Sequence, residues 1–161
     1  EFQNKTGKYI PSSWDNKSIA SFTFGKKFKK NWELGVKWRY QGGTPYTPID
    51  VQTSSLKTVW DISGRGIADY NRLNSVRLKP YHQLDWRIDK KVFFKKWSLD
   101  VYFDMQNAYK FQSDQPPILL LDKDENGNPQ SDPNNPAAYK TKMIANPTGT
   151  LLETLGIIVE F

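Results

Sequence analysis

The chain has 161 residues, of which 37% are hydrophobic and 14% aromatic, and it carries a formal net charge of +6. Because it contains no cysteine, the sequence excludes a disulfide framework, a zinc–thiolate site and a cysteine nucleophile. The aromatic content disfavours intrinsic disorder, and no apolar run approaches the length of a transmembrane helix.

The hydrophobic pattern predicts long antiparallel strands. In chain order, five segments alternate apolar and polar residues with a period of two: 18–28, 32–41, 80–92, 97–109 and 149–161. In "WELGVKWRY", every second residue from Trp32 to Tyr40 is apolar. No segment keeps a helical period, so the predicted fold class is all-β. Strands of about nine to twelve residues exceed the usual length and match what a tilted strand needs to cross a bilayer.

The connections between these segments alternate in length. The short connections, 29–31 and 93–96, are lysine-rich. The long connections, 41–79 and 110–148, are rich in glycine, proline and polar residues. Short turns at one end and long loops at the other are typical of an outer-membrane β-barrel, and Trp32 and Trp97 beside the short turns fit an aromatic girdle. A soluble β-sandwich also alternates, but its strands are shorter and its turns more frequent.

Four segments carry a family resemblance: "PSSWDNKSIASFTFGKKFKKNWELGVKWRYQGGTPYTP" (11–48), "WDISGRGIADYNRLNS" (60–75), "YHQLDWRIDKKVFFKKWSLDVYFDMQNAY" (81–109) and "GTLLETLGIIVEF" (149–161). Together they resemble the late barrel of TonB-dependent receptors from the Bacteroidetes, whose final strand ends on Phe. The resemblance covers nearly the whole chain. It implies that residues 1–161 are the C-terminal portion of an antiparallel transmembrane β-barrel, about the last five or six strands of 22, with long extracellular loops and short periplasmic turns.

The resemblance also implies a function. We expect a receptor in the cell outer membrane that takes up a scarce nutrient, with this chain forming the C-terminal barrel wall, and we expect no catalysis, cofactor or metal. The expected partners are outer-membrane lipid, the plug and earlier barrel strands of the same receptor, the TonB complex through the missing N-terminal part, and the barrel-assembly machinery. A surface lipoprotein is a further candidate partner, and nucleic acid is not expected. Siderophore, cobalamin, peptide and glycan all stay open as ligands.

Candidate site residues follow from these assignments. Charged residues on the polar parity of the strands are expected to line the lumen: Arg39, Asp85, Arg87 and Asp104. Aromatic and cationic residues of the long loops are candidate ligand contacts: Tyr46, Trp60, Arg65, Tyr70 and Arg72. The final residue, Phe161, is expected to be the signal that the barrel-assembly machinery reads.

Other chemistry is weakly supported by the sequence. His82 is the single histidine, and a girdle or loop-edge position is favoured over a catalytic triad or a metal site. "DKDENG", residues 122–127, imitates the start of a calcium loop, but Pro133 stands where the loop needs Glu, so a solvated acidic loop is favoured. A hydrolase built on Asp85 and Asp104 is a third hypothesis, and it suggests no substrate.

Lysines cluster at the two short turns: Lys26, Lys27, Lys29 and Lys30 at one, and Lys90, Lys91, Lys95 and Lys96 at the other. A polyanion-binding patch on a soluble β-rich module is the alternative to the barrel hypothesis. Because Phe28, Phe93, Phe94 and Trp97 are interleaved with the lysines, a cationic collar at an anionic membrane surface is favoured.

Overall fold

The computed structural model describes residues 2–3 and 7–161, which are mostly antiparallel β. In chain order the strands are β1 (Phe2–Gln3), β2 (Tyr9–Ile10), β3 (Ile19–Phe28), β4 (Trp32–Gln41), β5 (Pro45–Tyr46), β6 (Val76–Arg77), β7 (Tyr81–Phe93), β8 (Ser98–Gln106), β9 (Ile118–Leu121), β10 (Ser131–Asp132), β11 (Asn135–Tyr139), β12 (Thr141–Ile144) and β13 (Leu152–Glu160). The helices are α1 (Val51–Ser55) and α2 (Lys57–Ser63), with 3-10 turns at Lys29–Asn31 and Tyr70–Arg72. Within the described residues, no helix has the length and apolar character to cross a membrane.

The chain divides into two compact units. The sheet unit comprises Asn16–Gly42, Pro80–Ser113 and Thr148–Phe161. The loop unit comprises the described part of Glu1–Asp15, together with Gly43–Lys79 and Asp114–Pro147. The predicted strands therefore form one unit, and the two long connections contribute most of the other.

The sheet unit is a five-stranded antiparallel sheet in the order β13-β8-β7-β4-β3. Its strands are those predicted from the period-two pattern, because each alternating segment places one parity on each side of the sheet. The segment 29–31 turns tightly between β3 and β4, with Lys30 and Asn31 at φ of 61° and 59°. In the other tight turn, Phe94 N donates to Trp97 O at 2.8 Å. Both turns lie at the same end of the sheet, and both long connections leave from the opposite end.

Asn107 explains why the strand predicted over 97–109 ends early. Its φ is 55°, outside extended geometry, and its side chain is 5% exposed. Its Nδ2 donates to the carbonyls of Phe111 at 2.9 Å and Thr150 at 3.2 Å, and Phe111 N donates back to its Oδ1 at 2.8 Å. This network holds the two chain segments that leave and re-enter the sheet, so β13 starts only at Leu152.

The loop unit is folded, with short hairpins β5–β6, β9–β12 and β10–β11 and the two helices. The buried hydrophobic residues of the described chain, Leu119 and Ala138, each 2% exposed, both lie in this unit. Ser54 is fully buried; its hydroxyl donates to Asp50 O at 2.5 Å and accepts from Ile67 N at 2.8 Å. The long connections therefore have their own small core and internal hydrogen bonds.

Candidate functional site

The two sides of the five-stranded sheet differ in chemistry. We call the side that carries Arg39, Asp85, Arg87 and Asp104 the charged face, and the opposite side, which carries Phe24, Val36, Trp86 and Met105, the apolar face. In register, Phe24 lies beside Val36, Val36 beside Trp86, and Trp86 beside Met105. The four charged residues lie on one side of the sheet, and the expectation that this side lines a lumen stays a prediction.

Opposite charges face each other across the strands of the charged face. Lys37 is paired in register with Asp85, and Arg87 with Asp104. Lys91 is paired with Asp100 in the same way. Such cross-strand pairs stabilise a sheet, each by about 0.2–1 kcal/mol. The charges of this face therefore compensate one another across the strands.

Asp85 is a carboxylate of this face that accepts hydrogen bonds from three different residues. It accepts from Arg39 Nη2 at 2.9 Å, from Gln83 Nε2 at 2.5 Å and from Asn107 N at 2.9 Å. Its side chain is 15% exposed, whereas that of Arg39 is 40% exposed. Three donors leave Asp85 little freedom to take a proton from a substrate, and they fix the direction of the Arg39 guanidinium.

Arg87 joins three strands of the charged face. Its Nη2 and Nε donate to Asp89 Oδ1 at 2.6 and 2.8 Å, and its guanidinium carbon lies 3.8 Å from the centroid of the Tyr102 ring. Tyr102 in turn lies over the backbone of Gly156, its register partner on β13. A planar cation stacked on an aromatic ring contributes about 0.5–1 kcal/mol at an exposed site. Asp100, on the same face, has a buried Oδ1 without a hydrogen-bond partner in the described chain.

A depression of about 400 Å³ on the sheet is bordered by all four of Arg39, Asp85, Arg87 and Asp104. A second depression of about 540 Å³ lies towards the tight turns and includes Asp89, Lys91 and Asp100 in its border. The sheet thus offers two recesses whose walls carry both signs of charge among apolar side chains.

Several large side chains of the apolar face are exposed. Phe22 is 67% exposed, Phe24 57%, Leu155 75% and Ile157 66%. No hydrophobic residue of the sheet unit is among the buried ones of the described chain. Since burying one such side chain is worth about 1.5–3 kcal/mol, this face lacks most of the stabilisation that its composition could provide.

Aromatic rings lie at both ends of the apolar face and also in its middle. At the turn end, Phe94 and Trp97 stack with centroids 4.0 Å apart. At the other end, Trp38 lies 6.1 Å from Tyr40 and 5.8 Å from Phe22. The middle of the face carries the aliphatic side chains of Leu34, Ile88, Val101 and Leu155. It also carries the rings of Trp86 and Phe103, whose centroids are 5.5 Å apart.

His82 lies in an aromatic cluster at the end of the sheet away from the tight turns. Its Nδ1 is 2.6 Å from the hydroxyl of Tyr109, and its ring centroid is 4.1 Å from that of Phe111. Tyr81 contacts Phe111 edge-on at 5.9 Å. His82 is the second residue of β7, and its expected girdle or loop-edge role stays a prediction. Tyr109 and Phe111 could not be singled out from the sequence, because they meet His82 only through the register of β7 and β8.

The structure places the predicted loop contacts in separate short elements of the loop unit. Tyr46 belongs to β5, Trp60 to α2, and Tyr70 and Arg72 to a 3-10 turn, while Arg65 follows α2. Tyr70 is 75% exposed and Trp60 is half-buried. All five belong to Gly43–Lys79 but lie in different elements of the loop unit.

Sequence reasoning missed the residues that hold the loop unit together. Asn74 is 7% exposed, has a φ of 51° and donates from Nδ2 to Pro11 O at 2.8 Å. It lies in a loop, where the alternation of apolar and polar residues gives no signal. Arg77 donates to the carboxylate and to the carbonyl of Asp15, at 2.5 and 2.6 Å. The Asp50 side chain caps α1 by accepting from Thr53, whose hydroxyl and amide lower the pKa of that carboxyl. Asp50 was the local sequence signal that could have indicated the start of α1, because aspartate is a favoured N-cap residue.

The acidic stretch of 122–127 is engaged within the chain. Asp122 accepts from Lys140 Nζ at 2.8 Å and Lys142 Nζ at 3.3 Å, and these hydrogen bonds lower the pKa of Asp122. The amide of Asn128 donates to Asp124 Oδ1 at 2.8 Å, which lowers the pKa of Asp124. Among the described residues no group of three or more His, Cys, Asp or Glu side chains could hold a metal ion. This stretch is therefore a hairpin whose carboxylates stabilise its own turn.

No protein-family model matches this chain, and neither does any curated protein or solved structure.

Proposed function

We propose that the chain forms the C-terminal wall of an outer-membrane β-barrel receptor of the TonB-dependent type, which takes up a scarce nutrient. One observation carries the proposal: a five-stranded antiparallel meander exposes an apolar face, ringed by aromatic side chains at both ends, opposite a face of compensated charges. In a barrel wall the apolar side contacts lipid and the charged side faces the interior. A large exposed apolar surface is otherwise unusual on a monomer.

Strand length supports this assignment. The five strands have 9 to 13 residues. At about 3.3 Å per residue and a tilt near 40°, nine residues span roughly 23 Å. This span is close to the apolar band of such barrels, which is about 25 Å tall.

The position of the connections supports an orientation. Both tight turns lie at one end, as periplasmic turns do, and both long connections leave from the other end, as extracellular loops do. Since the long connections form a unit with its own buried residues, they present a defined surface to a ligand. Tyr46, Trp60, Arg65, Tyr70 and Arg72 are the proposed contacts within that surface.

The proposal implies partners beyond this chain. The earlier strands and plug of the same receptor would complete the barrel, the TonB complex would act through its N-terminal part, and the barrel-assembly machinery would read Phe161. The full exposure of Phe161, whose parity is that of Val159 and Ile157 on the apolar face, supports that role. A surface lipoprotein over the extracellular loops is a further proposed partner.

A single-cysteine scan tests the proposal cleanly because the chain has no native cysteine. Matched neighbours on β13 and β3 provide the pairs: Ile157→Cys with Ile158→Cys, and Phe24→Cys with Thr23→Cys. Each variant is spin-labelled and reconstituted in phospholipid vesicles, and its collision rates with oxygen and with a water-soluble nickel complex are compared. We expect Ile157 and Phe24 to favour oxygen, which concentrates in lipid, and their neighbours to favour nickel.

A different pattern would overturn the proposal. If both members of each pair collide with the nickel complex equally, neither face contacts lipid. A chain that is a monodisperse monomer without detergent would instead favour a soluble β-rich module for polyanions, the alternative that the lysine-rich turns support.

A further inference from the structure

The lysines at the turn end are divided between the two faces by strand register. Lys26 is the register partner of Leu34, and Lys90 that of Trp32, so both belong to the apolar face. The next residue along each strand, Lys27 and Lys91, belongs to the charged face. Two pairs of adjacent lysines therefore place one cation on each side of the sheet.

Only the charged-face members are neutralised. Lys27 Nζ lies 3.6 Å from Glu33, and Lys91 Nζ lies 2.5 Å from Glu160. In the described chain, Lys26 and Lys90 have no carboxylate within ion-pair distance. The apolar face therefore carries two uncompensated positive charges among its hydrophobic side chains.

Aromatic rings hold both apolar-face lysines at the turn end. Lys26 Nζ lies 5.3 Å from the centroid of Phe28, and Lys90 Nζ lies 5.3 Å from the centroid of Trp32. Phe28 and Trp32 are register partners on neighbouring strands. Lys90 Nζ also donates to the carbonyl oxygen of Lys30 in the tight turn. Both ammonium groups are thus directed along the face towards the turn, as expected for lysines whose charged ends reach for the polar boundary of an apolar surface.

The chemistry of this arrangement fits a lipid phosphate. A row of rings at the end of an apolar face corresponds to the headgroup level of a bilayer, and an ammonium group binds phosphate as a point charge. The turn adds Lys29 and Lys30 at the same end. A zwitterionic headgroup would bring its own cation to this surface, whereas an anionic headgroup complements it.

We propose that Lys26 and Lys90, with Lys29 and Lys30 of the turn, form a binding site for the phosphate of anionic phospholipids on the apolar face. The site rests on the proposed function, because it requires this face to contact lipid. It goes beyond that function because it selects one class of lipid headgroup at one end of the sheet.

Lipid selectivity in reconstituted vesicles tests the site. The chain is placed in phosphatidylcholine vesicles with trace spin-labelled phosphatidylglycerol or spin-labelled phosphatidylcholine, and the motionally restricted fraction of each label is measured. We expect the wild-type chain to prefer phosphatidylglycerol. At about fivefold per lysine, Lys26→Gln with Lys90→Gln is expected to reduce that preference by up to roughly thirtyfold.

Two further double variants control for charge and folding. Lys27→Gln with Lys91→Gln removes the same formal charge from the other face and is expected to keep the preference. Lys26→Arg with Lys90→Arg keeps the charge in place and is also expected to keep it. If both glutamine doubles reduce the preference equally, general charge attraction accounts for it and the site is refuted.

The remaining outcomes separate the two proposals. A wild-type chain that restricts both labelled lipids equally contradicts the site and leaves the barrel assignment standing. A chain that restricts neither lipid contradicts the barrel assignment and the site with it. If the chain binds an oligonucleotide without vesicles, and Lys26→Gln with Lys90→Gln abolishes that binding, the turn end is a polyanion site and the lipid assignment is wrong.

Discussion

The stability of the sheet should depend on Gly156, because the ring of Tyr102 on the neighbouring strand β8 leaves no space for a side chain there. A Cβ added at this position would lie 2.5 Å from Tyr102 Cε1 and closer still to its Cζ and Oη. The ring cannot simply retreat, because its other side is stacked with Arg87, whose guanidinium carbon is 3.8 Å from the ring centroid. Gly156→Ala therefore requires the ring to leave the space between Arg87 and β13.

The expected cost can be assembled from these contacts. Overpacking a fitted contact costs about 1–3 kcal/mol, and losing the Arg87 stack removes about 0.5–1 kcal/mol. The alanine also offsets about 0.4–1 kcal/mol of this loss, because it reduces the conformational entropy of the unfolded chain. We expect Gly156→Ala to lower the free energy of unfolding by about 2 kcal/mol. Urea unfolding in detergent micelles, followed by tryptophan fluorescence, should then show a midpoint about 1 M lower.

Two comparisons make the prediction specific. Gly25 lies on β3 and the same charged face, and a Cβ there meets nothing within 4 Å, so Gly25→Ala should be neutral or slightly stabilising. In a Tyr102→Ala background, Gly156→Ala should lose its cost. If Gly156→Ala leaves the midpoint unchanged, or costs as much without the Tyr102 ring, the stacking argument is refuted.

Three further predictions concern the loop unit. Ser54→Ala should leave the half-buried amide of Ile67 without its acceptor and lower stability by about 1 kcal/mol, measured as faster amide exchange in 43–79. Asn74→Ala should speed proteolysis of the segment before residue 16, because it removes hydrogen bonds and forces a non-glycine residue without a polar side chain to a φ of 51°; Asn74→Gly relieves the backbone and should retain only the hydrogen-bond loss. Because the folded-state pKa of Asp122 is lowered by Lys140 and its neighbour, their contribution should be intact above the ordinary aspartate pKa near 4. This contribution should disappear as the pH falls through the lowered pKa of Asp122. The loss should be seen as an acid-induced acceleration of amide exchange in 118–144, and Asp122→Asn should remove that pH dependence.

The strand positions were predictable because apolar and polar residues alternate along any strand whose two sides meet different surroundings. The segment 32–41 and the observed β4 agree, and β7 is displaced by one residue from the predicted 80–92. The helices were not predictable in the same way, since α1 and α2 have 5 and 7 residues, too few to show a helical period. Gly64, which ends α2 at φ of 63°, carried a local signal that the surrounding loop composition hid.

The sequence predicted which side of the sheet each candidate site residue occupies, but not which side chains contact one another. Parity alone assigned Arg39 and Asp85 to one face, and their 2.9 Å ion pair followed from the register of β4 and β7. The stack of Arg87 and Tyr102 over Gly156 needed the alignment of three strands, two of them joined by a long connection. Alternation contains no information about that alignment, because it is unchanged when a strand slides by two residues.

The edges of the sheet bear on the choice between the two proposed environments. Within the described residues, β3 and β13 each pair along one side only, and β13 carries Leu155, Ile157 and Val159 on its apolar parity. A long apolar edge strand in water is an aggregation hazard that soluble proteins blunt with charge, proline or a bulge. β13 has a continuous register from Leu152 to Glu160 with charge only at Glu153 and Glu160. The same edge is a benefit in a barrel, where an unpaired strand must accept a neighbour because lipid cannot satisfy its backbone. The edge therefore favours the membrane proposal for the same reason as the exposed apolar face: both need a partner that water cannot supply.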